Sequence, residues 1–298
     1  MNRTSEVARV PDPRDRIADH VSRIASRCFV IPLLFFTLTL GGCAVHPAPT
    51  VPDQFVGLNG HSLRLHFERS DTVATRPLLV YATGDGGMHR KDLDTYRHLA
   101  ALGDPIVGFD ARDYVKHLGK DDTTTPERLA DDYSRIIAKA RQALGLDAHC
   151  AVVLVGVSRG AGLAVVAAGR LRDSLTGVVA VALTQEEEYV RWYRHLPLPR
   201  EPHPPVMVDV YEYLGELGNL PIAVVQSTQD KYLPAEKARE QFGPDTSSRW
   251  LQAIEASNHN FGGARSQMYD AIGAALNWVT TLHPNKHWTR EKPKGEGH

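Results

Sequence analysis

Three side chains could cooperate in nucleophilic chemistry: Ser158 in LVGVSRGAG, Asp230 in QSTQDKYLP and His259 in EASNHNFGG. A serine hydroxyl attacks a carbonyl only when a base removes its proton, and the base needs a carboxylate to hold its tautomer and orientation. Ser158 lies in Gly156-Val157-Ser158-Arg159-Gly160, a G-x-S-x-G pattern, whose glycines leave room for a sharp turn from a strand into a helix. That pattern is short enough to arise by chance, so its context decides. An apolar run precedes it, a helix-compatible run follows it, and the acid and histidine come later in the order that such a turn requires. The bland alternatives are a close-packed glycine turn at Ser158, a helix cap near Pro234 at Asp230, and a polar loop residue at His259.

Stabilising the oxyanion of a tetrahedral intermediate takes two backbone N–H groups. Arg159, directly after the serine, is expected to supply one. The second is expected from Gly84-Asp85-Gly86-Gly87, through Asp85 or Gly86. Gly84, Gly87 and Met88 are expected to line the substrate site. So are Asp110 and Asp113, carboxylates suited to a cationic substrate group, whereas the charge of Arg159 would suit a phosphate or carboxylate. No metal and no cofactor is expected.

The elements that would position these residues are legible as patterns. Residues 77–82, 105–110, 150–155, 177–183 and 221–226 are short apolar runs, as expected of strands covered on both faces. Helical segments alternate with them. One has Thr125 as N-cap and Pro126 at its first position, with Leu129, Tyr133, Ile136, Ala140 and Leu144 on one face. Others follow Ser158 and span about 267–282. Upstream, Asn59-Gly60 and alternating Leu63, Leu65 and Phe67 predict a hairpin. The expectation is an α/β fold, a mostly parallel doubly wound sheet with helices on both faces and an antiparallel edge. Residues 185–219 break the rhythm and are expected to form a cap or a long loop.

Composition excludes one class of function. Lysine plus arginine total 34 against 35 aspartate plus glutamate, so no field favours nucleic acid. Residues 28–40 are apolar, interrupted by Pro32 and preceded by Arg23 and Arg27, which is a signal-peptide layout too short to span a bilayer. The length ahead of Arg23 predicts a start downstream of Met1. Leu40-Gly41-Gly42-Cys43 is similar to a bacterial lipobox, with Cys43 lipidated and Ala44 matching the outer-membrane pattern. The expected organisation is a signal peptide at 1–42, a proline-rich tether at 43–53, a folded domain at 54–283 and a disordered tail at 284–298. Cys150 is then the one cysteine of the folded part and reads as a small buried hydrophobe.

TGDGGM at 83–88, IVGFDARDY at 106–114, TTPERLADDYSRII at 124–137 and VVLVGVSRGAG at 152–162 together resemble the VirJ family of bacterial virulence proteins, within the α/β-hydrolase superfamily. The resemblance spans about residues 76–263. It implies an α/β-hydrolase fold, with Ser158 as nucleophile, Asp230 as acid and His259 as base. It also implies a periplasmic serine hydrolase, with lysyl-phosphatidylglycerol as the implied ester, and lipidation at Cys43 adds the expectation that the enzyme is tethered to a membrane. Where the family carries tryptophan, phenylalanine and aspartate, this chain has Met88, Arg159 and Gly162. The competing readings are a binding protein that keeps the turn for its shape and captures a ligand or a secretion-system protein, with the protein partner unidentified, and a general carboxylesterase or peptidase that uses 185–219 as its cap.

Overall fold

The computed structural model describes residues 51–58, 61–69, 76–117, 125–188 and 207–281, all within the compact unit Pro47–His298. The signal segment, Cys43, most of the tether, the Asn59-Gly60 turn and the tail lie outside the described residues.

Eight strands form one sheet in the order β1-β2-β4-β3-β5-β6-β9-β10. At one edge β1 (Gln54–Leu58) pairs antiparallel with β2 (His61–Glu68), which pairs antiparallel with β4 (Ile106–Phe109). The expected antiparallel edge is therefore present. From there β4, β3 (Leu78–Ala82), β5 (Val152–Val157), β6 (Gly177–Val181), β9 (Ile222–Ser227) and β10 (Arg249–Ile254) run parallel.

The apolar runs are continuous because both faces are covered. Leu78 and Val80 of β3, with Val152 and Leu154 of β5, join the core on one face; Leu79 and Tyr81, with Val153 and Val155, join the core on the other. The first face is covered by α3 (Pro126–Leu144) and α4 (Arg159–Leu171), and the second by α1 (Arg90–Ala101) and α6 (Arg265–Thr281). Helix α3 begins as its sequence predicts: the Thr125 side chain accepts a hydrogen bond from the Arg128 N–H, Pro126 occupies the first turn, and Gly145 closes the helix with φ 68°. Among the described residues, the remaining α-helices are the short α2 (Ala111–His117) and α5 (Ala235–Phe242).

Of the segment expected to be a cap or a long loop, the two described ends pair. β7 (Glu186–Glu188) and β8 (Met207–Asp209) form an antiparallel ribbon, followed by a 3₁₀ segment, Val210–Leu217. The part between them lies outside the described residues. Cys150 is partly buried, with its Sγ facing the carbonyls of Arg76 and Ala151, and burial pushes its thiol pKa up. A thiol held protonated in this way is a weak nucleophile, in keeping with a packing role.

Candidate active site

The turn at Ser158 is built by its two glycines. A Cβ on Gly156 would stand 2.2 Å from the Gly160 carbonyl oxygen, and one on Gly160 would stand 2.2 Å from the Ala82 carbonyl oxygen. Only a chain without side chains at both positions lets α4 start this close to the ends of β5 and β3. Ser158 sits between them at φ 52°, ψ −117°, a conformation that costs an L residue on the order of 1–3 kcal/mol. Its N–H donates to Val181 O, and its carbonyl accepts from the N–H groups of Ala161 and Gly162, so the backbone of the turn is hydrogen-bonded on both sides. Gly160→Ala is expected to destabilise the fold by on the order of 3 kcal/mol or to prevent folding, read as a fall in the urea unfolding midpoint. As a control, Gly273→Ala in α6, where an added Cβ meets nothing within 4 Å, should be neutral or stabilising.

Asp230 lies on the loop after β9 and is 1% exposed. Its Oδ1 accepts from the Tyr232 N–H at 2.9 Å, and its Oδ2 faces Gln226 Nε2 at 3.2 Å and His259 Nδ1 at 2.6 Å. His259 rides on the loop after β10. Asn258 Oδ1 organises that loop by accepting from the N–H groups of Asn260 and Gly262 at 3.0 and 3.1 Å. The two loops are tied together where Ser227 Oγ donates to Ala256 O and Thr228 N donates to Ile254 O. Because a carboxylate can only accept, Nδ1 of His259 is the donor. Nε2 then has its lone pair directed at Ser158 Oγ, 2.9 Å away. The three residues singled out from sequence thus form one hydrogen-bonded chain. Tyr232 stands edge-on to the His259 ring, with centroids 4.8 Å apart.

The 84–87 loop after β3 packs against this turn, and a Cβ on Gly84 would lie 3.4 Å from Ser158 Cβ. Several of its amides are committed elsewhere. Gly84 N donates to Asp92 Oδ1 at 3.0 Å, Gly87 N to Gly84 O at 3.1 Å, and Met88 N to Asp110 Oδ2 at 3.0 Å. Asp85 is exposed, and its Oδ1 accepts from Arg159 Nε at 2.5 Å. The Arg159 side chain is only 4% exposed, so its charge is held in an ion pair next to the serine.

A cleft of about 860 Å³ opens over Ser158 and His259. Gly84, Asp85, Gly86 and Arg159 line it as expected. Gly87, Met88, Asp110 and Asp113 do not, which corrects the sequence-based expectation for those four. The chain turns back at Gly87, with φ 68°, and carries Met88 into the core beside Tyr96. Asp110 is occupied with structure: besides Met88 N, it accepts from the Asp113 N–H at 2.9 Å and so caps α2. The carboxylates that line the cleft besides Asp85 are Asp92 and Glu186, neither of them anticipated. Asp92 carried one readable signal, an acidic residue in the first turn of a helix that follows a glycine-rich loop. Glu186 carried none, because its place depends on the ribbon with β8.

Burial raises the Asp92 carboxyl pKa above 3.8, opposed by the Gly84 N–H and the Arg265 charge. A carboxyl with a raised folded-state pKa holds its proton more tightly in the folded chain. Stability is therefore lost as pH rises from 3.8 through the higher folded value. Asp92→Asn lacks that titration, so its stability relative to the parent should rise across that window and level off above it, as read by urea unfolding at a series of pH values.

Among the described residues, no group of three or more His, Cys, Asp or Glu is arranged to hold a metal ion, and no helix is long and apolar enough to cross a membrane.

Sheet order, strand–turn–helix placement of the serine and the acid and histidine on later loops define the α/β-hydrolase fold. Solved structures share it. An alpha-beta serine hydrolase homologue from Coxiella burnetii is 17% identical, with a TM-score of 0.51 over 80% of this chain and all (100%) of that one. Est1E from Butyrivibrio proteoclasticus is 12% identical, with a TM-score of 0.55 over 78% and 99%. Naproxen esterase from Bacillus subtilis is 12% identical, with a TM-score of 0.52 over 75% and 90%. No curated protein matches the chain. Residues 77–190, which hold the 84–87 loop and the serine turn, match the family described as bacterial virulence protein (VirJ), in agreement with the resemblance carried by the motifs.

Proposed function

We propose that this protein is a serine hydrolase that cleaves an ester through an acyl-enzyme. The observation that carries this reading is the continuous chain Ser158 Oγ, His259 Nε2, His259 Nδ1, Asp230 Oδ2, with links of 2.9 and 2.6 Å. Ser158 Oγ attacks the ester carbonyl while His259 takes its proton, and Asp230 stabilises the resulting imidazolium. The backbone N–H of Arg159 and an amide of the 84–87 loop hold the oxyanion. His259 then returns the proton to the leaving alcohol. Water repeats the sequence on the acyl-enzyme, with His259 as base first and acid second.

For the substrate we infer an aminoacyl ester of a membrane lipid, of which lysyl-phosphatidylglycerol is an example. Arg159 argues against a cationic group beside the serine only if its charge is uncompensated, and Asp85 compensates it. Glu186 supplies a carboxylate on the cleft wall. Lipidation at Cys43 would confine the enzyme with such a substrate and raise its effective concentration. On this reading the enzyme works in the periplasm, on the inner leaflet of the outer membrane.

The test is turnover by the purified protein of lysyl-phosphatidylglycerol in vesicles, compared with short acyl esters. Preference for the lysyl lipid supports the reading. Preference for short acyl esters makes the protein a general carboxylesterase, and no turnover of either favours a hydrolase-fold binding protein.

A further inference from the structure

A buried guanidinium needs compensation, because taking its charge out of water costs several kcal/mol. Arg159, the first residue of α4, draws compensation from the other side of the site, from the Asp85 carboxylate 74 residues earlier in the chain. The two residues differ in burial. Arg159 is 4% exposed and Asp85 is 55% exposed, so the pair joins a buried charge beside the serine to a carboxylate at the cleft surface. Two further anchors of the 84–87 loop sit at its ends: Gly84 N is held by Asp92, and Met88 N by Asp110. Asp85 is the point at which the loop's interior is fastened to the residue that follows the serine.

We propose that the Arg159 side chain is a positioning residue. Its ion pair with Asp85 fixes the 84–87 loop against the serine turn, so that amides from the two segments converge on one oxyanion. The proposal rests on the serine-hydrolase reading and adds to it a role for a side chain that the reading uses only for its backbone. Two donors on separate segments stabilise an oxyanion only while their separation is held, and the developing charge, not the ground-state ester, is what that separation serves. Loosening the pair therefore lowers kcat and leaves KM nearly unchanged.

The experiment compares Arg159→Met, Asp85→Asn, the double variant and Arg159→Lys with the parent. It measures kcat and KM on a p-nitrophenyl ester together with urea unfolding midpoints. Arg159→Met and Asp85→Asn each break the pair, so both single variants and the double should share a kcat lowered about 10- to 100-fold, with KM within about twofold. Arg159→Lys, which keeps the charge, should fall between them and the parent. Unfolding midpoints separate the two possible causes of a loss: a fold defect lowers kcat in step with stability, whereas a loop that has lost its position lowers kcat on its own. Parental kcat in Arg159→Met and Asp85→Asn overturns the proposal, and so does a kcat that follows the unfolding midpoints across the set. A parent protein with no turnover and no fluorophosphonate adduct overturns the hydrolase reading and this proposal together. An active parent with indifferent variants overturns this proposal alone.

Discussion

Ser158→Ala should remove ester turnover, with a loss in kcat on the order of 10⁶ if the serine and histidine act as one unit. The hydroxyl is the group that forms the acyl bond, and it stands 2.9 Å from the base, His259 Nε2. The fold should survive, because the side chain removed is small and the backbone hydrogen bonds of the turn, from Ser158 N to Val181 O and from Ala161 and Gly162 to Ser158 O, are untouched. The comparison with Ser158→Gly is informative. Glycine accepts φ 52° at no steric cost, so that variant should be equally inactive yet more stable than the alanine variant by about 1 kcal/mol. Steady-state kinetics and urea unfolding on the two purified variants check both parts. Activity near the parent level in either would remove Ser158 from the chemistry.

Asp230→Asn has the second-largest expected effect, a fall in kcat of about 10⁴. The carboxylate is fully buried as a side chain and faces donors on both oxygens: Tyr232 N on Oδ1, and Gln226 Nε2 and His259 Nδ1 on Oδ2. An asparagine must turn its NH₂ toward one of these sets. Directed at His259, it drives the imidazole to the tautomer protonated on Nε2, which cannot take the serine proton. Directed at Tyr232 N, it opposes one N–H with another. The substitution therefore also costs stability, about 1–3 kcal/mol. Kinetics well below the unfolding midpoint separate the two effects. A variant that is folded but retains most of its kcat would show that Asp230 is a structural aspartate.

How far the sequence reaches can be judged from these same residues. The strands were legible because Val152 to Val155 or Val178 to Val181 have no exposed face and so carry no polar interruption. Thr125, Pro126 and Gly145 marked α3 because caps are local chemistry. Ser158, Asp230 and His259 were legible as a set because each follows the end of an element, in an order that a parallel sheet can bring together. The cleft wall was not. Asp110 and Asp113 follow β4 in a position that reads as a rim, yet Asp110 is occupied by the N–H groups of Met88 and Asp113. Glu186 and Tyr232 reach the cleft only through the β7–β8 ribbon and the turn after β9. The direction of the Arg159 side chain depends on Asp85, 74 positions away, and no local pattern encodes it. Periodicity reports which face an element buries. It does not report which of several loop carboxylates a backbone amide will claim.

The central claim is that Ser158 is activated by His259, and covalent labelling tests it directly. The purified protein, Ser158→Ala and His259→Ala would each be treated with a fluorophosphonate, and the adduct located by peptide mass spectrometry. The expected result is one adduct on Ser158 in the parent, none in Ser158→Ala and a strongly slowed reaction in His259→Ala. A parent that stays unlabelled, or labelling of Ser158 that is as fast without His259, would contradict the account.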